Sequence, residues 1–233
     1  MSASPPPPES LLLDYAAGNA GPATALLLST HLAMSKESRG LFALMEAAGG
    51  ALLDELDDEP LERISASSAL QRAEASGDVS MPATWPARQA PQSPDPRKGV
   101  PSTFIEGELP KPLKSAVHEI GGDRRWRKLG YGVAATRLAA SDERERAHLL
   151  WARGGTGIAT HRHVGREVVL VLQGAFWDSG QRFGPGDVAV CEDGTVHGPS
   201  IDRSEDCVCL AVTEAPVHFT GLAGLILNRF CRF

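Results

Sequence analysis

Between Met81 and Pro112 the chain carries a proline every few residues, in M-P-A-T-W-P-A-R-Q-A-P-Q-S-P-D-P-R-K-G-V-P and then P-K-P. Each proline lacks a backbone donor, and its ring pushes the preceding residue out of the helical region. Such spacing defeats helices and central strands, so the segment reads as an extended, semi-rigid connector. The chain must therefore fold on either side of it, with a first unit over residues 1–78, a connector over 79–112 and a second unit over 113–233.

Charge and periodicity change across that boundary. Residues 1–78 hold 12 acidic and 4 basic side chains, a balance of −8, whereas 79–233 hold 17 acidic and 19 basic, a balance of +2. The whole chain of 233 residues carries a formal charge of −6, which disfavours direct work on nucleic acid. The longest apolar runs, Leu26 to Leu28 and Val168 to Leu172, fall well short of the ~18 residues of a membrane span. No basic start leads into an apolar signal segment, so a cytoplasmic chain without membrane contact is expected. The four cysteines, Cys191, Cys207, Cys209 and Cys231, crowd into the last 43 residues, too few for a disulfide scaffold and consistent with a reducing compartment.

In the first unit the apolar residues fall at helical spacing: Leu12, Tyr15 and Ala16; then Leu27, Leu28, His31 and Leu32; then Leu41, Leu44, Met45 and Ala48. Gly18 and Gly21-Pro22 separate the first two helices, and a fourth helix is predicted over Leu61–Ala75. In the second unit alternation takes over, with strands predicted at Val133–Leu138, Ala147–Ala152, Glu167–Leu172, Asp187–Cys191 and Cys207–Val212. The expected fold class is α+β in two domains, a small all-α domain followed by a jelly-roll β-barrel.

The chemistry lies in T-H161-R-H163-V-G-R-E167-V-V-L-V-L-Q-G174 and G186-D-V-A-V-C-E-D-G194-T-V-H197. On a strand, residues of like parity share a face, so His161, His163 and Glu167 are expected to project together from one strand. His197 would arrive from a second strand. Three imidazoles and a carboxylate suit a divalent ion such as zinc, iron, manganese or nickel, and one such ion is expected. Cys207 and Cys209 share a strand face and read as small core residues.

These two segments resemble the paired motifs of the cupin superfamily, with Glu192 where the second motif has proline. The resemblance implies a cupin barrel whose metal ligands are His161, His163, Glu167 and His197.

The segment L-L-L-D-Y15-A-A-G18 followed by T-H31-L-A-M-S35-K-E-S38-R resembles the N-terminal domain of zinc-binding anti-sigma factors. There the motif is H-x3-C-x2-C; here His31, Ser35 and Ser38 keep the spacing with serine at both cysteine positions. A histidine that precedes the first helix in that family is also missing, since the region here reads P-P-P-P-E. A hydroxyl that stays protonated near neutral pH is a far poorer zinc ligand than a thiolate, so the motif reads as vestigial and the helical unit is expected to hold its fold by packing.

Together the two halves resemble the ChrR-type two-domain anti-sigma factors. The resemblance implies that the acidic helical domain sequesters an extracytoplasmic-function sigma factor, with apolar contacts expected from exposed ridges carrying Leu12, Leu13, Tyr15, Leu26 and Leu28. It also implies a cupin that senses a small-molecule or oxidative signal during stress, with zinc the favoured ion. The alternative reading is a metal-dependent, dioxygenase-like cupin enzyme acting on a small organic molecule, with the helices as an appendage.

Overall fold

The computed structural model describes residues 5–57, 109–119 and 126–220. The fourth helix expected over Leu61–Ala75, most of the connector and Cys231 lie outside the described residues. The first unit forms α1 (Glu9–Ala16), α2 (Pro22–Met34) and α3 (Lys36–Asp54). Helix α1 ends where Gly18 takes a left-handed φ of 74°, and α2 starts on Pro22, whose fixed φ and missing donor suit a first helical position. Ser35 breaks α2 from α3: its backbone is extended and its side chain accepts a hydrogen bond from the Ser38 N–H, which caps α3.

The expected connector gives way earlier than proline spacing suggested. Helix α4 (Lys111–Glu119) begins within its last residues and carries Pro112 in its first turn, where the missing donor costs nothing. Leu113 and Val117 of α4 are buried and join the core that α2 also builds.

Twelve described strands follow: β1 (Arg127–Gly130), β2 (Val133–Arg137), β3 (Arg146–Ala152), β4 (His161–Arg162), β5 (Glu167–Gln173), β6 (Phe176–Asp178), β7 (Gln181–Phe183), β8 (Val188–Cys191), β9 (Val196–His197), β10 (Ser200–Ile201), β11 (Cys207–Thr213) and β12 (His218–Phe219). A six-stranded antiparallel sheet has the order β1-β2-β3-β11-β5-β8, and two three-stranded sheets, β10-β6-β7 and β12-β4-β9, complete the cupin-like β-sandwich. The five longer strands lie where alternation predicts them. The shorter ones, among them Phe176–Asp178 and Gln181–Phe183, are too brief to show a period.

All seven residues of β11 are buried, because both faces of the sheet are covered. Cys207, Cys209, Ala211 and Thr213 face the barrel interior, while Leu210 and Val212 join Leu149, Val168, Leu170 and Val188 on the outer face. Against that outer face pack Leu11 and Leu12 of α1, Leu27, Leu28 and Leu32 of α2, and Leu113 of α4, in one continuous core. Each such leucine contributes about 1.5–3 kcal/mol by burial, so the units separated by charge and periodicity share much of their stability.

Polar contacts fix this packing. Glu145, from the turn before β3, receives hydrogen bonds from the Thr24 N–H at 2.9 Å and the Thr24 hydroxyl at 2.8 Å. Its carboxylate sits where an added Cβ on Gly21 would lie 2.7 Å away, so the close approach requires glycine there. Val188 N–H donates to the Pro5 carbonyl at 3.0 Å, and the segment that leads into α1 thus borders the sheet at β8.

This packing corrects the expected exposed ridges. Leu12 and Leu28 are 1% and 0% exposed, Leu26 is half-buried against the core, and Tyr15 stacks on Phe42 with ring centroids 5.3 Å apart. Only Leu13, at 56% exposure, faces solvent among those five. Successive leucines on a helix point about 100° apart, so when Leu11 and Leu12 enter the core Leu13 must leave it.

Candidate metal centre

His161, His163, Glu167 and His197 converge as expected, with one donor atom from each lying within 4.8 Å of all the others. The expectation that one strand presents three of them is corrected. His161 lies on β4, His163 just beyond it, and Glu167 opens β5. Between them Gly165 turns the chain with a φ of 79°, a conformation that favours glycine. His197 ends β9 and pairs with His161 across the β4–β9 ladder.

The ring orientations are set from behind. His161 Nδ1 lies 2.9 Å from the Ala159 carbonyl, which accepts a hydrogen bond from it, and His197 Nδ1 lies 2.8 Å from Asp178 Oδ2. With Nδ1 protonated on both rings, Nε2 is left as a lone-pair donor facing the centre. His197 Nε2 is 3.0 Å from His161 Nε2 and 2.8 Å from His163 Nε2, and Glu167 Oε2 is 3.6 Å from His163 Nε2. Lone pairs so close together repel unless a cation sits among them.

The electrostatics suit such a cation. Burial lowers the pKa of His161 and, helped by the neighbouring imidazoles, holds His163 down to about 4, so the rings are neutral and able to coordinate. Burial pushes Glu167 up to about 7, since a lone carboxylate is costly there. Atoms bound to one ion at about 2.0–2.2 Å must lie less than about 4.4 Å apart, and the three separations above, 2.8, 3.0 and 3.6 Å, do. Four such donors fit a divalent ion, and Asp178 is the residue that sequence reasoning missed: it sits on β6, in no recognisable spacing to the other four. Cys191 lines the same pocket 3.8 Å from the His197 ring, its thiol pushed up to about 12 by burial and nearby carboxylates.

His31, Ser35 and Ser38 also meet, but to a different end. His31 Nε2 lies 2.8 Å from Ser38 Oγ, Ser35 Oγ donates to Ser38 Oγ at 3.1 Å, and His31 Nδ1 lies 3.0 Å from the Gly186 carbonyl. Because that carbonyl can only accept, Nδ1 carries the proton and Nε2 receives the Ser38 hydroxyl. Both ring nitrogens are engaged and both hydroxyls are used, so these residues do not fit a zinc ion. Burial lowers the His31 pKa.

No described helix is long and apolar enough to cross a membrane. The family described as the ChrR cupin-like domain matches residues 116–217. A curated relative, the anti-sigma-E factor ChrR of Cereibacter sphaeroides, is 37% identical over 224 residues, 96% of each chain. Among solved structures, the crystal structure of Rhodobacter sphaeroides SigE in complex with the anti-sigma ChrR matches with a TM-score of 0.67 and 32% identity, covering 91% of this chain and all of that one. With helices before a cupin-like sandwich, a convergent donor set in its pocket and similarity running through both units, the chain belongs to the family of ChrR anti-sigma factors.

Proposed function

We propose that this chain sequesters a sigma factor of the extracytoplasmic-function type in the cytoplasm through its acidic helical unit, and that the metal-bearing cupin senses a small-molecule or oxidative signal that loosens the hold. The observation that carries this reading is an apolar stripe on α3. Leu44, Leu52 and Leu53 of α3 are 69%, 67% and 68% exposed, with Leu56 just beyond its end and, on α1, Leu13 also in solvent. Exposed leucines in such number mark an interaction surface, and the acidic background favours a basic partner. The residues expected to touch the sigma factor thus shift from Leu12 and Leu28 to Leu13 and the α3 stripe.

One divalent ion is assigned to His161, His163, Glu167 and His197, with zinc favoured over iron, manganese or nickel by family resemblance. In this reading β8 is the shared element: Gly186 in the turn before it and Val188 at its start bind His31 and Pro5, while Cys191 at its end touches His197. A change at the metal could thus alter the footing of the helices. That the similarity to an anti-sigma factor includes the helical unit favours this over a dioxygenase-like enzyme with helices as an appendage. The test is co-expression of the full chain with a sigma factor of the extracytoplasmic-function type from the same organism. Copurification should be lost on Leu44→Asp with Leu52→Asp and kept on Lys128→Ala; a pair that copurifies despite the double substitution refutes the assigned surface.

A further inference from the structure

The barrel interior holds a cavity of about 440 Å³, within the range of small-molecule sites, about 300–1,000 Å³. Strand parity makes most of its wall apolar: Leu150 on β3, Val169 on β5, Phe176 on β6 and Ile201 on β10 all face inward. Sugars and amino acids would leave their polar groups unpaired against such a wall. At one end the wall changes character, and His161, Glu167 and His197 enter the lining.

Thr213 stands at that same end. It pairs with Glu167 in the β11–β5 ladder, shares inward parity with Ala211 and Cys209, and is 7% exposed. Among the described residues its hydroxyl has no hydrogen-bond partner. A buried hydroxyl is ordinarily paired, so one held unpaired in a cavity wall points to a bound group that uses it.

We infer that this cavity is a binding site for a small amphiphilic organic acid, with its apolar body along the barrel wall and its carboxylate at the metal end, accepting a hydrogen bond from Thr213. Charge supports the head group: a divalent ion held by three neutral imidazoles and one carboxylate leaves a net positive centre, which an anion complements. The inference rests on the ion assigned above and names a ligand class for the sensing cupin; it is independent of the sigma factor, because binding is read on the isolated chain.

The test is calorimetric titration of octanoate into the full chain loaded with zinc, with 1-octanol as the head-group control. Octanoate should bind one per chain, with the negative heat-capacity change of apolar burial, and more tightly than 1-octanol. Thr213→Val should weaken octanoate roughly 10-fold, in keeping with loss of a hydrogen bond to a charged group, and leave 1-octanol little changed. Ala211→Phe, which fills the cavity, should abolish binding of both while metal content stays at one per chain; Ala189→Leu is the milder filling variant if that chain does not fold. Absence of saturable octanoate binding at millimolar concentration, or binding unaltered by a folded filling variant, would overturn the site. Equal affinity of Thr213→Val and the unmodified chain would overturn the placement of the head group.

Discussion

Among the described residues one cluster gathers three histidines and another centres on one, and they differ in what their ring nitrogens face. In the barrel, His161 and His197 spend Nδ1 on the Ala159 carbonyl and Asp178, which leaves their Nε2 lone pairs turned toward each other, toward His163 and toward Glu167. Around His31 the same type of ring spends both nitrogens, one on the Gly186 carbonyl and one on Ser38. A cluster of ligating residue types is therefore no metal centre by proximity alone. What distinguishes one is a surplus of converging acceptors that only a cation can satisfy, whereas a cluster whose donors and acceptors balance is a structural joint. His31 joins the helical unit to the start of β8, where a zinc-binding unit would use the same ring for an ion.

The sharpest way to break this contrast is to remove one ring from each cluster. His163→Ala should weaken metal binding by more than about 100-fold, since even partners behind the ligands are worth 10–100-fold; elemental analysis after dialysis against a chelator should then find little metal, and stoichiometric retention would contradict the assignment. His31→Ala should keep one metal per chain yet lose about 2–4 kcal/mol of stability to denaturant, from the cavity and from unpaired partners at Ser38 and Gly186. Next in size, Asp178→Asn should cut metal affinity by about 10–100-fold, measured by competition with a chromophoric chelator, with the fold unaltered by circular dichroism. Ser35→Ala removes the cap of α3 and should cost about 1 kcal/mol with no change in metal content.

The smallest expected effect is on pH. Burial holds the His31 pKa below its ordinary 6.5, so the unfolded chain binds the proton more readily than the folded one. The contribution of His31 is then fully present above pH 6.5 and declines as the pH falls through that value toward the folded pKa. Stability measured from pH 7 to pH 5 should fall more steeply for the unmodified chain than for His31→Gln, and equal slopes would contradict a neutral, buried His31.

Much of this was legible along the chain. Alternation located the five long strands, four of which, β3, β5, β8 and β11, have one face toward the cavity and the other toward the core shared with the helices. The H-x-H-x3-E and G-x2-H spacings located all four donors, since a tight turn and a two-strand ladder translate fixed sequence intervals into fixed positions in space. Helical spacing located α1, α2 and α3, and the serine replacements already excluded a thiolate zinc site at Ser35 and Ser38. The short strands escaped because two or three residues carry no period, and α4 escaped because proline was read as a breaker when in a first turn it is tolerated.

What the sequence could not decide was which leucines would be covered. An apolar stripe states that a face seeks burial, yet the same stripe on α1 and α2 could have met solvent-side partners or, as it does, the outer face of a sheet whose residues lie more than a hundred positions away. That contact, closed by Thr24 on Glu145 and His31 on Gly186, buries Leu12 and Leu28 and leaves Leu13 and the α3 leucines outside. Likewise Asp178 and Thr213 acquire their roles only where β6 and β11 pass the cavity. Local periodicity and spacing are encoded by neighbouring residues, so the sequence by itself determined the longer elements and the four donors that converge. The partner of each apolar face and the environment of each polar group depend on long-range packing, so only the tertiary structure decided them.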